Sequence, residues 1–180
     1  MKRLLWRAVI CLVASLVAAI SGQAQSSAVD PVTSTLRQVL ERFSNNLVAS
    51  AEEMPADKYS YHPTPAQLTF GRTMEHVAEV NNFACSKVAD VPAPEQPKIS
   101  ETDKDKLVEA LKASMDFCKQ AFAKLTDAKL GDTVTLNRGR QAPRIAAALE
   151  VTNDLVDHYA AIAVYLRLNG LLPPTAQPKK

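Results

Sequence analysis

Glycine is scarce, with five in 180 residues, and no glycine-rich loop, nucleophile elbow or Cys-x-x-Cys is present. Those absences argue against phosphate cradling at a strand–helix turn, elbow-type serine hydrolysis and thioredoxin-like redox chemistry. No basic face is clustered along the chain, which argues against nucleic acid as a partner. There is no internal repeat, no second domain and no convincing strand. The one extended apolar run, Ala8 to Ile20, is too short to span a bilayer comfortably.

That run belongs to a recognisable leader. Lys2, Arg3 and Arg7 form a basic start, and Ser21-Gly22-Gln23-Ala24 supplies small residues before a cut near Gln25. The layout predicts a cleaved secretory signal over 1–24 and a mature domain over 25–180. An uncleaved membrane tether is the alternative. Cleavage would remove three basic residues and no acidic ones, changing 21 basic against 19 acidic into 18 against 19. The basic balance of the whole chain therefore comes from the leader. The expected location is periplasmic or secreted, with no stable membrane insertion after cleavage.

Two cysteines, Cys85 and Cys118, survive that cut. An oxidising compartment and an even count favour a disulfide between them. Two buried free thiols would also suit their apolar helix faces.

What is abundant is helical periodicity. Asp30-Pro31 opens a first helix over about 31–53, with Asp as cap and Pro at the first helical position. Val32, Leu36, Val39, Leu40, Phe43 and Leu47 then recur at three- and four-residue spacing. Thr64 and Gln67 read as a capping box for a second helix, about 68–89. Pro92, Pro94 and Pro97 demand an extended connection. Ser100 with Asp103 restarts a helix over about 101–126. Thr133–Leu136 allows a short extended piece, and the last helix runs over about 141–169 until Asn169-Gly170 and Pro173-Pro174 stop it. The tail from Thr175 is expected to be loose. Four such helices predict an all-α four-helix bundle.

Three polar residues stand out against those apolar faces. Asp154 and His158 lie one turn apart on the last helix, and His76 aligns with Val80 and Phe83 on the second. If the two helices are neighbours, two imidazoles and a carboxylate converge, a set suited to Zn²⁺, Ni²⁺, Fe²⁺ or Mn²⁺ with open positions left over. Glu75, Glu79 and Glu150 could orient a ligand from outside. The competing reading is an internal hydrogen-bond network without metal. His62 reads as a solvated loop residue, Tyr159 and Tyr165 as core rim, and Asn153 as facing either way. Arg138, Arg140 and Arg144 read as a solvated connection, with anion binding as the alternative.

Met54-Pro55 with Tyr59, then Pro63-Thr64-Pro65-Ala66-Gln67-Leu68-Thr69-Phe70-Gly71, then His76-Val77-Ala78, resemble motifs of the DinB-like superfamily. So do Asp157-His158-Tyr159 through Val164-Tyr165-Leu166-Arg167-Leu168-Asn169-Gly170 and Pro173-Pro174. The resemblance implies a bundle with a long crossover connection, often homodimeric, with a divalent metal held by three histidines. Some relatives transfer or isomerise small molecules with a thiol cofactor. Here His76 and His158 match two ligands, and Asp154 stands where a third histidine is usual. Ala160 and Ala161 replace Gly-Gln after His-Tyr. The resulting expectation is an exported, metal-dependent hydrolase or transferase acting on a small molecule. The alternative is a non-catalytic, dimeric binding or stress-associated bundle with a degenerate site.

Overall fold

Four helices account for most of the computed structural model, which describes residues 30–178; the leader expected over 1–24 lies outside the described residues. They are α1 (Pro31–Glu53), α2 (Phe70–Ala89), α3 (Lys104–Ala123) and α4 (Arg144–Leu168). Each of α1 and α2 packs against both α3 and α4. The order around the bundle is therefore α1, α3, α2, α4, and the connections after α1 and after α3 each cross the diagonal. Among the described residues no helix is long and apolar enough to cross a membrane.

α1 starts at Pro31 as expected, whereas α2, α3 and α4 start two or three residues later than expected. The amides of Val32 and Thr33 in α1 donate to the Asp127 carboxylate, at 3.1 and 2.8 Å, from the far side of the chain. Thr64 caps nothing: its hydroxyl donates to Gln67 Oε1 in a local turn. The cap of α2 is Thr69, whose Oγ1 accepts from Arg72 N at 3.1 Å. The Tyr61 and Tyr59 carbonyls accept from the amides of Phe70 and Gly71, so the helix can begin only there. Phe70 is fully buried, whereas Leu68, expected inside the helix, is exposed.

Asp90 ends α2 in the left-handed region (φ 58°). The proline-rich connection then runs to Asp103, which caps α3 by accepting from Lys106 N. The connection lies directly on α2: a Cβ on Gly71 would come within 1.8 Å of the Glu101 carbonyl oxygen. Glycine at 71 is a packing requirement. The Cys85–Cys118 disulfide joins α2 to α3, with a Cα–Cα distance of 5.2 Å.

A hairpin precedes α4. Strand β1 (Thr133–Thr135) pairs antiparallel with β2 (Gln141–Pro143), placing Val134 opposite Ala142. The first of these was anticipated as an extended piece; the second was expected to be helix. Pro143 explains the difference, because it lacks an amide hydrogen and pushes Ala142 out of the helical region. The helix starts one residue later, where the Arg144 and Ile145 amides donate to the Asp132 and Leu130 carbonyls. At its far end Gly170 takes the expected positive φ (76°).

The tail is tied down further than its composition suggests. Tyr159 Oη accepts from the Thr175 amide at 3.1 Å and lies 2.7 Å from the Thr175 hydroxyl. Gln177 Nε2 donates to Glu53 Oε2 at 2.9 Å.

Candidate metal centre

His76 from α2 meets Asp154 and His158 from α4 across the groove between those helices. One potential ligand atom from each lies within 4.8 Å of the other two. The two imidazole rings are 5.1 Å apart, inclined at 46°. The expected convergence is therefore present, but its depth is not as expected. The His76 side chain is 36% exposed and those of Asp154 and His158 are 16% exposed. The trio lines the rim of the bundle, where an ion would be reachable from outside.

Local structure fixes one ring clearly. His158 Nδ1 lies 2.9 Å from the Asp154 carbonyl oxygen and 3.3 Å from Asp154 Oδ1. A carbonyl only accepts, so Nδ1 carries the hydrogen and Nε2 keeps its lone pair. Asp154 Oδ2 is buried and has no hydrogen-bond partner. Burial raises the Asp154 pKa; the neighbouring His158 and His76 oppose that rise, and Asp157 and Glu150 add to it. An unpartnered carboxylate oxygen beside two imidazoles is what a bound cation would satisfy. Two nitrogens and one hard oxygen suit a borderline divalent ion such as Zn²⁺.

Polar contacts spread from this trio along α2. Glu79 Oε2 is 4.0 Å from His76 Nδ1. Arg72 binds Glu79 Oε2 at 3.1 Å through one guanidinium nitrogen and Glu75 Oε2 at 3.0 Å through another. Burial works against the charge on Arg72, but the two carboxylates outweigh it and raise its pKa. Glu75 Oε1 in turn accepts from the Ile99 amide at 3.2 Å. Sequence spacing flagged Glu75 and Glu79 but not Arg72; its three- and seven-residue separations from them were the available signal.

The other candidates lie apart from the trio. His62 is in the exposed loop, its Nδ1 2.8 Å from the Thr64 carbonyl. Tyr159 faces Phe43 and the tail, and Tyr165 donates to the Leu68 carbonyl. Asn153, Arg138 and Arg140 are exposed. Arg144 corrects the expectation of a solvated arginine. It is buried, donates to the Lys87 and Val88 carbonyls at 3.0 and 2.9 Å, and lies 3.6 Å from Asp132. A cation at the C-terminal carbonyls of α2 is favourably placed.

Residues 39–162 match the DinB superfamily. The chain belongs to that superfamily. No curated protein matches it in sequence. A DinB-like protein from Bacillus cereus shares 16% identity at a TM-score of 0.64, covering 77% of this chain and 93% of its own. A DinB-like protein from Bacillus subtilis shares 18% at 0.62, covering 78% and 99%. A conserved protein from Enterococcus faecalis shares 16% at 0.58, covering 76% and 96%. At such identities these likenesses establish the DinB-like fold.

Proposed function

We propose that this DinB-superfamily chain binds one divalent metal ion through His76, Asp154 and His158 and acts on a small molecule as an exported hydrolase or transferase. The observation that carries the reading is the buried, unpartnered Asp154 Oδ2 beside two imidazoles at the bundle rim. A bound ion would supply Lewis acidity and an activated water or thiol at its open positions. The chain's own part is to present the three ligand atoms, to hold the proton of His158 on Nδ1, and to leave the side toward solvent open through the half-exposed His76. Export is supported by the leader pattern and fits the disulfide, since such bonds persist in oxidising compartments. An exported protein lies away from cytosolic thiol cofactors, which favours hydrolysis over thiol transfer.

Elemental analysis of untagged mature protein tests the metal. About one equivalent is expected, lost in His76→Ala and His158→Ala; no stoichiometric metal in the unsubstituted protein removes the reading. Ester and amide hydrolysis by the loaded protein, compared with His158→Ala, tests turnover. Mass spectrometry of the native N-terminus tests cleavage near Gln25.

One observation favours the non-catalytic reading: Asp154 already supplies the partner for His158 Nδ1 without any ion. On that reading chelators leave the melting temperature unchanged. A bound metal predicts a fall, because a ligand of the folded state stabilises it by mass action.

A further inference from the structure

The two imidazoles of the proposed centre are not held by equivalent means. His158 is fixed by a carbonyl of its own helix, four residues back, which cannot move unless α4 unwinds. His76 lies on the other wall and needs an acceptor of its own if its ring is to present one defined nitrogen. Resting on the metal reading above, we propose that Glu79 is the positioning residue for His76, accepting from Nδ1 and leaving Nε2 as the nitrogen with the free lone pair.

The geometry selects Glu79 among the nearby carboxylates. It is one turn on from His76, with Oε2 4.0 Å from Nδ1, so a small side-chain rotation closes a hydrogen bond. Glu75 cannot serve, because Arg72 and the Ile99 amide engage its two oxygens and it faces the proline-rich connection. Glu150 and Asp157 stand on α4, where their charges act on Asp154. Glu79 is also kept beside His76. Arg72 grips the same Oε2 at 3.1 Å, and Arg72 is itself anchored at 3.0 Å to the buried Glu75. Gln96 Nε2, 3.5 Å from the Glu75 carbonyl, adds a second tie to the connection.

The line His76–Glu79–Arg72–Glu75–Ile99 therefore joins the proposed metal site to the proline-rich connection between α2 and α3. A cavity of about 660 Å³ is lined by Arg72, Glu75, Glu79 and residues 96–101. The cavity therefore borders Glu79 and Arg72, the residues proposed to orient His76.

Imidazole tautomers read by long-range ¹H–¹⁵N correlation on the full chain, metal-free at about pH 8, test this directly. In the unsubstituted chain His76 is expected as the Nδ1–H form. Glu79→Ala should shift it toward Nε2–H while His158 stays Nδ1–H as the internal control. Zn²⁺ titration should show binding about 10–100-fold weaker in Glu79→Ala, the cost usual for such outer partners. Glu79→Gln keeps an acceptor and should restore both readouts to within a few-fold. Equal affinity and an unchanged His76 tautomer in Glu79→Ala would overturn the proposal. So would a Gln variant as weak as the Ala variant, which would reduce Glu79 to a charge. If the unsubstituted chain takes up no Zn²⁺, the metal reading itself falls and this proposal falls with it.

Discussion

Asp154 carries a charge that the bundle alone supports poorly. Its folded pKa is raised by burial, so the metal-free fold holds that proton more tightly than the unfolded chain does. The stabilisation from that proton is complete below the unfolded value of about 3.9 and is lost as pH rises through the folded value. At neutral pH the ionised group is therefore a cost in the metal-free protein. Asp154→Asn removes the charge and keeps the shape. In chelator, its melting temperature at pH 7 should exceed that of the unsubstituted chain, and the gap should close as the pH falls below about 4. With metal present the order should reverse, because the variant loses a ligand. Thermal melts at both pH values, with and without Zn²⁺, check both signs. Tyr59 illustrates a different residue-level dependence. Its hydroxyl donates to the Ala51 carbonyl at 2.7 Å in the core, so Tyr59→Phe should cost about 1–2 kcal/mol in denaturant unfolding. The trio itself was legible, since an i,i+4 Asp–His pair and the matching His76 needed only helical spacing. Its position at the rim was not, because a few tens of degrees around a helix axis separate core from groove. Arg144 was opaque for another reason: its acceptors are main-chain carbonyls more than fifty residues away.

At the scale of elements, the caps decide where helices begin, and the two threonines before α2 offer a clean comparison. Thr69 Oγ1 accepts from Arg72 N and donates to Glu101 Oε2, while Thr64 serves only a local turn. Thr69→Ala should therefore destabilise by about 1 kcal/mol, and Thr64→Ala by a few tenths. Urea unfolding of the two variants checks this; equal effects would restore the capping box to residues 64–67. Four helices were readable because apolar spacing, Pro31 and Gly170 are local signals. α1 has the expected bounds, whereas α2 and α4 start two or three residues later than expected, where the satisfying groups come from elsewhere: loop carbonyls for α2, the Asp132 and Leu130 carbonyls for α4. The hairpin was half legible. Thr133-Val134-Thr135 has β-favouring residues, whereas Gln141-Ala142-Pro143 has none and is extended because of Pro143 and the pairing itself.

For the whole molecule, a covalent restraint is added to the packing of α2 against α3. His76, Asp154 and His158 meet between α2 and α4, and the Cys85–Cys118 bond joins α2 to α3, so with the proposed metal bound α2 would be fastened on both sides. Closing a loop with a separation of 33 residues restricts the unfolded chain by about 3–4 kcal/mol in the loop-entropy view. Cys85→Ala/Cys118→Ala should then lower the melting temperature by roughly 10 °C, using the usual 2–4 °C per kcal/mol for a chain of this size. Reductant should produce the same shift in the unsubstituted protein and none in the double variant. Thiol titration of denatured, unreduced protein should find no free thiol at 85 and 118; two would refute the bridge. The experiment also separates the two fastenings. If α2 is held independently on each side, the loss caused by chelator and the loss caused by reductant should add. A combined loss that differs from the sum of the separate losses would mean that α2 moves as one body, and that a change at the disulfide is felt at His76.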